Sequence, residues 1–416
     1  MARRAAFLST FETMDTTSVI LVDCGDVIGN KSSQERLKAQ YLYEAYDILG
    51  VEVMNMGFSD LLLGQDFLLN MRDDHGLPMI SANVYYADLG RRFLPPYIIK
   101  RIGGKKFLGL EWGGLKIGIF GVVQPLDELA PLPWDREKDE HRLIMREPAT
   151  ACREMVEELR PKVDLIVCLA HTGWLNARAL ARNVTGIDVM IVGNGSNVKP
   201  KPYMVNNIPL VMPGDQGKFL GILDLHLDEQ KRVVEVDGWA KELDKSIDDD
   251  PVMAELVERY KAELQGAGEE MLAPASSQLN VVKFLGADAC AECHPGEYVD
   301  WRKTAHAHAT ETLEKEGQQN NPDCVKCHVT GYGFFNGFHS YETTPDMIGV
   351  QCESCHGSAS DHVKFARGEA IRETDRDPEL SYLFEVSEER CVGCHDSEQD
   401  PDFEWLADRE KVDHKP

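Results

Sequence analysis

Four copies of Cys-x-x-Cys-His stand in the last third of this 416-residue chain, at Cys290–His294, Cys324–His328, Cys352–His356 and Cys391–His395. In each copy the two thiols can form thioethers to one porphyrin, and the adjacent imidazole can ligate its iron. With 11 Cys and 13 His in the chain, chance supplies roughly one hundredth of one such match. Four-Cys zinc sites also use paired cysteines, but they need no His at each fifth position. Cys290, Cys293, Cys324, Cys327, Cys352, Cys355, Cys391 and Cys394 are therefore read as the attachment points of four covalent c-type haems. His294, His328, His356 and His395 are read as the proximal ligands.

Sixth ligands must come from elsewhere, and His306, His308, His339, His362 and His414 are the available imidazoles, with Met347 a weaker candidate. The stretch Gly296–Glu316 has no internal proline or glycine and predicts one helix. On such a helix His306 and His308 point about 200° apart, so both cannot face one haem. His306 and His362 each follow shortly after a quintet and are expected to ligate. His308 stays open between a ligand of a different haem and an exposed residue. His414 is open between a terminal ligand, the favoured reading, and a frayed tail.

The elements that must position these groups fall into two kinds. Residues 1 to about 243 alternate short apolar strands with helical stretches, the α/β signature. Strands are expected at Ser18–Val22, Val51–Asn55, Lys116–Val123, Asp164–Ala170, Ile187–Val192 and Phe219–Leu227, and helices at Gln34–Leu49 and Ala149–Arg160. The stretches Ile98–Phe107 and Leu108–Val123, broken by paired glycines, predict hairpins at a sheet edge. Alternation along Gly221–Asp228 turns Leu223, Leu225 and Leu227 inward and leaves His226 in solvent. A helical linker spans 244–283, with an amphipathic helix at Pro251–Gln265 and small residues from Gly266 to Gln278. The haem region, 284–416, is too poor in large aliphatics for an ordinary core, so porphyrins must supply buried apolar surface and the haem-free form should not fold.

Composition excludes some functions. A net charge of −26 argues against nucleic acid, whose phosphates need a basic face. An electrostatically steered redox partner should be basic or bridged by cations, unless the acidity serves only solubility. No run of about 18 apolar residues exists, so no membrane span is expected. Cys24, Cys152 and Cys168 lie in apolar segments and read as small core residues. Covalent haem attachment belongs to a periplasmic or extracellular, oxidising compartment, yet the first 15 residues carry no apolar signal region.

The haem region resembles the tetrahaem cytochrome c family of ammonia-oxidising bacteria. The resemblance rests on Tyr298-x-x-Trp301-x-x-Thr304-x-His306-Ala307, on Cys327 to Gly333, and on Gly349 to Gly357 with His362. It implies closely stacked haems, mostly bis-histidine ligated, that pass electrons singly, with one haem able to lack a sixth ligand. Other multihaem cytochromes are among the partners it implies. His339 lies where the family places no ligand and is read as structural.

The first region resembles 5′-nucleotidase-type metallophosphoesterases, a layered α/β sandwich. The segments that carry this are Leu21–Asp26, Ser81–Val84, Leu169–Gly173 and Met212–Gly221, in the family's order. The resemblance implies two metals held by Asp-x-His, Gly-Asp, Asn-His, a lone His and Gly-His-x-His. Asp26 matches the bridging Asp and His171 the lone His. The Asn-His position reads Gly57-Phe58-Ser59-Asp60, and the Gly-His-x-His position reads Gly193-Asn194-Gly195-Ser196. The first Asp-x-His would precede Met1, so the chain is expected to begin inside a domain that lacks its first strand. Two ligands cannot hold two divalent ions, so no divalent metal site and no catalytic residue are expected here.

The leading functional expectation is an exported multihaem cytochrome that relays electrons, with the first domain as scaffold or docking surface. The alternatives are a metal-dependent phosphoesterase and a haem redox enzyme acting on a small nitrogen or sulfur oxide.

Overall fold

A computed structural model describes residues 1–12, 19–29, 32–103, 105–107, 110–124, 140–268, 272, 283–334, 336–368, 386–396, 399, 400 and 402–414. Most of the expected small-residue linker, and residues 369–385 between the third and fourth quintets, lie outside them. The chain forms two compact units, residues 1–31 with 35–259 and residues 32–34 with 260–416.

The first unit is built on a six-stranded sheet. Its four central strands, Leu115–Val123, Leu165–His171, Val189–Gly193 and Ile208–Pro213, run parallel. Antiparallel strands Tyr97–Ile102 and Val198–Val205 close its edges. The strand Leu165–His171 is buried along its whole length, as expected for a parallel strand covered on both faces. Its side chains part by alternation. Ile166, Cys168 and Ala170 meet Met155 and Leu159 of the helix Pro148–Leu159 and Leu180 of the helix Gly173–Asn183. Leu165, Val167 and Leu169 face the other way, among Val53, Ile80, Leu223, Leu225 and Leu227. The result is the expected layered α/β sandwich.

Three short parallel strands, Val22–Asp23, Val53–Asn55 and Met79–Ile80, form a second sheet. The first of these is shorter than the Ser18–Val22 expected from the apolar run. The hairpin Phe219–Leu227 with Val233–Glu242 turns its alternating leucines onto the core and leaves His226 half exposed, as the alternation predicts. Tyr97–Ile102 pairs with Leu115–Val123 around an inner pair of Lys105–Phe107 with Leu110–Trp112, so the stretches expected as two hairpins nest into one at the sheet edge, with Gly103, Gly113 and Gly114 at positive φ between strands. Cys152 and Cys168 are fully buried, in keeping with their reading as core residues, whereas Cys24 is partly exposed.

The second unit contains helices of four to seven residues across its described quintets. A small core of Leu313, Val325, Val329, Phe338 and Met347 holds them together. The segment expected as one helix is broken. Helices Pro295–Trp301 and Ala309–Lys315 flank a 3-10 turn at Ala305–His308. The break is at Thr304, which is extended and donates its hydroxyl to the carbonyl of Trp301, satisfying a group the helix would otherwise use. The absence of proline and glycine did not reveal this side-chain competition.

Candidate haem-binding site

Each quintet folds as a tight turn or the end of a short helix. In the first and fourth, the histidine backbone N–H donates to the carbonyl of the leading cysteine, His294 to Cys290 and His395 to Cys391, at 2.9 Å in both. In the second, Asn321 caps the helix Pro322–His328 through Asp323 N–H, and Pro322 enters at a position that needs no donor. The third is anchored by Glu353. Its buried carboxylate accepts from Leu285 N at 2.7 Å, Gly286 N at 3.0 Å and Ala359 N at 2.8 Å. Burial raises the Glu353 pKa against these three donors.

The eight quintet cysteines carry no disulfides. They meet across quintets instead. Cys290 and Cys352 lie close enough to shift each other's pKa, as do Cys327 and Cys394. Cys391 also lies close enough to Cys355 to raise its pKa, after burial. The neighbouring Cys394 thiol pulls the Cys327 thiol down to about 7.

The imidazoles pair as well. His294 faces His362 with ring centroids 6.3 Å apart, His306 faces His395 at 5.9 Å, and His356 faces His414 at 6.3 Å. Metal–imidazole bonds are about 2 Å long, so two rings on opposite sides of one iron stand roughly 6 Å apart between centroids. The spacing fits that arrangement in all three pairs. Burial lowers the pKa of His306, and the neighbouring His395 and His328 add to the effect, which keeps the imidazole neutral and able to donate its lone pair.

The remaining candidates lie elsewhere. Among the described residues no imidazole ring faces His328; its Nδ1 donates to the carbonyl of Ala309 at 2.6 Å. His308, left open between ligand and exposed residue, lies at the surface. Its Nδ1 meets Glu311 at 2.7 Å and its Nε2 meets the Arg302 carbonyl at 3.1 Å, so both nitrogens are engaged at the surface. The Glu311 hydrogen bond raises its pKa. Met347 is packed in the apolar core and is not presented as a ligand. His339 takes part in a turn in which Thr344 Oγ1 accepts its backbone N–H.

In the first unit, Asp26 and His171 come together as the sequence suggested. His171 Nε2 lies 2.9 Å from Asp26 Oδ2, an ionic approach whose angle falls outside hydrogen-bond geometry. His171 is buried and its Nδ1 donates to the Cys24 carbonyl at 3.0 Å. Burial pulls its pKa down, but the Asp26 and Asp60 carboxylates outweigh that and the net direction is up. Asp60, in the segment that reads Gly57-Phe58-Ser59-Asp60, went unnoticed in the sequence. It is fully buried and accepts from the backbone N–H groups of Asp26, Val27 and Gly57 at 2.8–2.9 Å. Burial and the nearby Asp26 charge push its pKa up to about 6. A carboxylate three residues past the Gly-Asp loop's partner glycine was the available signal.

The loop around Asp26 is tightly built. Gly25 and Asp26 both adopt positive φ, and a Cβ on Gly25 would meet Gly57 N and Asn55 O at well under contact distance. Asn83 is consumed structurally, bonded to Val123 at both its backbone groups and to the Arg146 carbonyl. Gly193 to Ser196 bring no imidazole. Among the described residues no three His, Cys, Asp or Glu side chains are disposed to hold a metal ion.

Comparison with known proteins divides the chain in the same way. Residues 289–357 match the family of cytochrome c554 and c-prime. Cytochrome c-554 of Nitrosomonas europaea is 34% identical over 136 residues, 27% of this chain and 57% of that protein. The 2′,3′-cyclic-nucleotide 2′-phosphodiesterase/3′-nucleotidase of Salmonella typhimurium is 28% identical over 256 residues, 54% of this chain and 39% of that protein. The solved structure of a 5′-nucleotidase precursor from Thermus thermophilus shares the fold, with a TM-score of 0.54 at 20% identity over 64% of this chain and 53% of that one. The chain thus spans less than two thirds of each relative. Its C-terminal region resembles the tetrahaem cytochromes, and its N-terminal region resembles the 5′-nucleotidase-type phosphoesterases.

Proposed function

We propose that this chain is an exported electron-relay cytochrome in which four c-type haems are held by the second unit and the first unit serves as a scaffold or docking surface. The observation that carries the reading is the set of three facing imidazole pairs at the separation a single iron requires. In this reading the eight quintet cysteines would tether the porphyrins, and His294 with His362, His395 with His306, and His356 with His414 would supply the ligands of three irons. His328 would ligate the fourth. Bound haem iron supplies a one-electron ferric–ferrous couple.

The thiol contacts support an order for the sites. Cys290 meets Cys352, Cys355 neighbours Cys391, and Cys394 meets Cys327, which ranks the quintets first, third, fourth, second. The protein's task in a relay is to hold the ligands rigidly, exclude water and set the electronic surroundings of each iron. Glu353 does the first by clamping the start of the first quintet's helix to the third quintet. The acidic surface favours a basic partner, including another cytochrome. Thioether attachment favours a periplasmic or extracellular location.

The lone Asp26–His171 pair supports the scaffold reading of the first unit, because the Asn-His and His-x-His positions offer no further imidazole. A second reading, reduction or oxidation of a small oxide, draws on His328, which no imidazole faces among the described residues. Magnetic circular dichroism and electron paramagnetic resonance of the holoprotein test the ligand set. Three low-spin bis-histidine haems and one of different ligation are expected; four identical ones would overturn the assignment.

A further inference from the structure

We propose that Asp400 is a positioning residue for the proximal imidazole of the fourth quintet, and that it holds the His395 haem at a lower reduction potential than the His328 haem. The inference rests on the reading of His395 and His328 as iron ligands. His395 Nδ1 lies 2.7 Å from Asp400 Oδ2. That contact commits Nδ1–H to the carboxylate and leaves Nε2 for the metal, because the hydrogen bond at one ring nitrogen decides which one is metallated. Phe403 stacks on the ring at 4.9 Å between centroids and 20° between planes, so the imidazole is held in orientation as well as in tautomer.

The acceptor is part of a built turn. Asp400 N–H donates to the Asp396 carbonyl at 2.8 Å, Gln399 N–H donates to the Asp396 carboxylate at 2.8 Å, and Phe403 N–H donates to the Asp400 carbonyl at 3.2 Å. The same short turn therefore delivers both the carboxylate and the stacking ring.

His328 makes the corresponding contact with a neutral acceptor, the Ala309 carbonyl at 2.6 Å. A carboxylate draws the Nδ1 proton away more strongly than a carbonyl, which makes the imidazole a more basic ligand and favours ferric iron. Its negative charge acts in the same direction by attraction to the more positive oxidation state. Both effects lower the potential of the His395 haem relative to that of His328. In the thiol-contact order the fourth quintet adjoins the second, so with haems bound the difference would favour electron transfer from the His395 site toward the His328 site, which no imidazole faces among the described residues.

The test is a spectroelectrochemical titration of the full-length holoprotein as wild type, Asp400→Asn and Asp400→Glu. In Asp400→Asn one of the four midpoints should rise by about 59 mV or more, a tenfold change in a one-electron equilibrium, and Asp400→Glu should restore it. Unchanged midpoints, with haem content and spin states intact, overturn the proposal and leave the ligand reading standing. An unaltered spin state in His395→Ala would instead refute the ligand reading. Should Asp400→Asn fail to retain haem, histidine-selective 15N spectra of the wild type decide. A strongly hydrogen-bonded Nδ1 proton on His395 is expected, and its absence overturns the proposal.

Discussion

His356 and His414 stand ring to ring, 6.3 Å apart and within 24° of parallel, though one closes the third quintet and the other lies beyond the fourth. The segment that carries His414 is held by its own bonds, Val412 and Asp413 donating to the Arg409 carbonyl at 2.9–3.0 Å. If the pair shares an iron, His414→Ala should turn one low-spin haem high-spin without loss of covalent haem. Paramagnetic resonance of the variant reads this directly, and an unchanged spectrum would make His414 a tail residue.

His306 and His308 form a matched pair of variants. His306→Ala should convert a second haem to high spin, because its ring faces His395. His308→Ala should leave every iron as it was, because its nitrogens meet Glu311 and Arg302 at the surface. The opposite result would restore the helical register expected from the sequence.

Haem content is checked independently of ligation. Denaturing mass spectrometry should find four haem additions per chain, since thioethers survive unfolding. Three additions or fewer would leave a quintet vacant.

The first unit should not hydrolyse nucleotides or aryl phosphates with manganese, zinc or calcium. Phosphate release assays suffice. Metal-dependent turnover abolished by Asp26→Ala or His171→Ala would replace the scaffold reading with an active phosphoesterase.

Asp60 gives the first unit a pH signature. Its folded pKa, about 6, lies above the ordinary carboxyl value of 3.8. The protonated form is therefore favoured by folding, and the stability this contributes is complete below pH 3.8 and lost as pH rises toward 6. Denaturant melts of wild type and Asp60→Asn should diverge across that window, with wild type losing stability relative to the variant as pH rises. Parallel curves would show that the three backbone donors hold Asp60 ionised throughout.

Much of this was legible in the sequence because the signals were local. The alternation of Leu223, Leu225 and Leu227 with His226 placed all four correctly. The apolar run Asp164–Ala170 read as a strand, and the strand spans Leu165–His171. What escaped had two causes. Side chains that bond their own near neighbours compete with the helix, and apolar periodicity does not register them: His308 meets Glu311 and the Arg302 carbonyl, and the Thr304 hydroxyl meets the Trp301 carbonyl. Asp60 was overlooked because its worth lies in backbone groups more than thirty residues away.

The three imidazole pairs overlap along the chain: 294 reaches to 362, 306 to 395, and 356 to 414. No pair is nested inside a segment that could close by itself before the next begins. Each bound iron would therefore act as a long-range cross-link, and closing the first loop would shorten the loops still open, lowering their entropy cost. Maturation in that case is a ratchet read from the N-terminal side. The His294 site can close only once residue 362 has been delivered, and the His356 site waits for nearly the whole chain. Chains stalled before residue 414 should then accumulate with all attached porphyrins but one iron unfinished, a defect invisible to a count of haems and plain in their spin states.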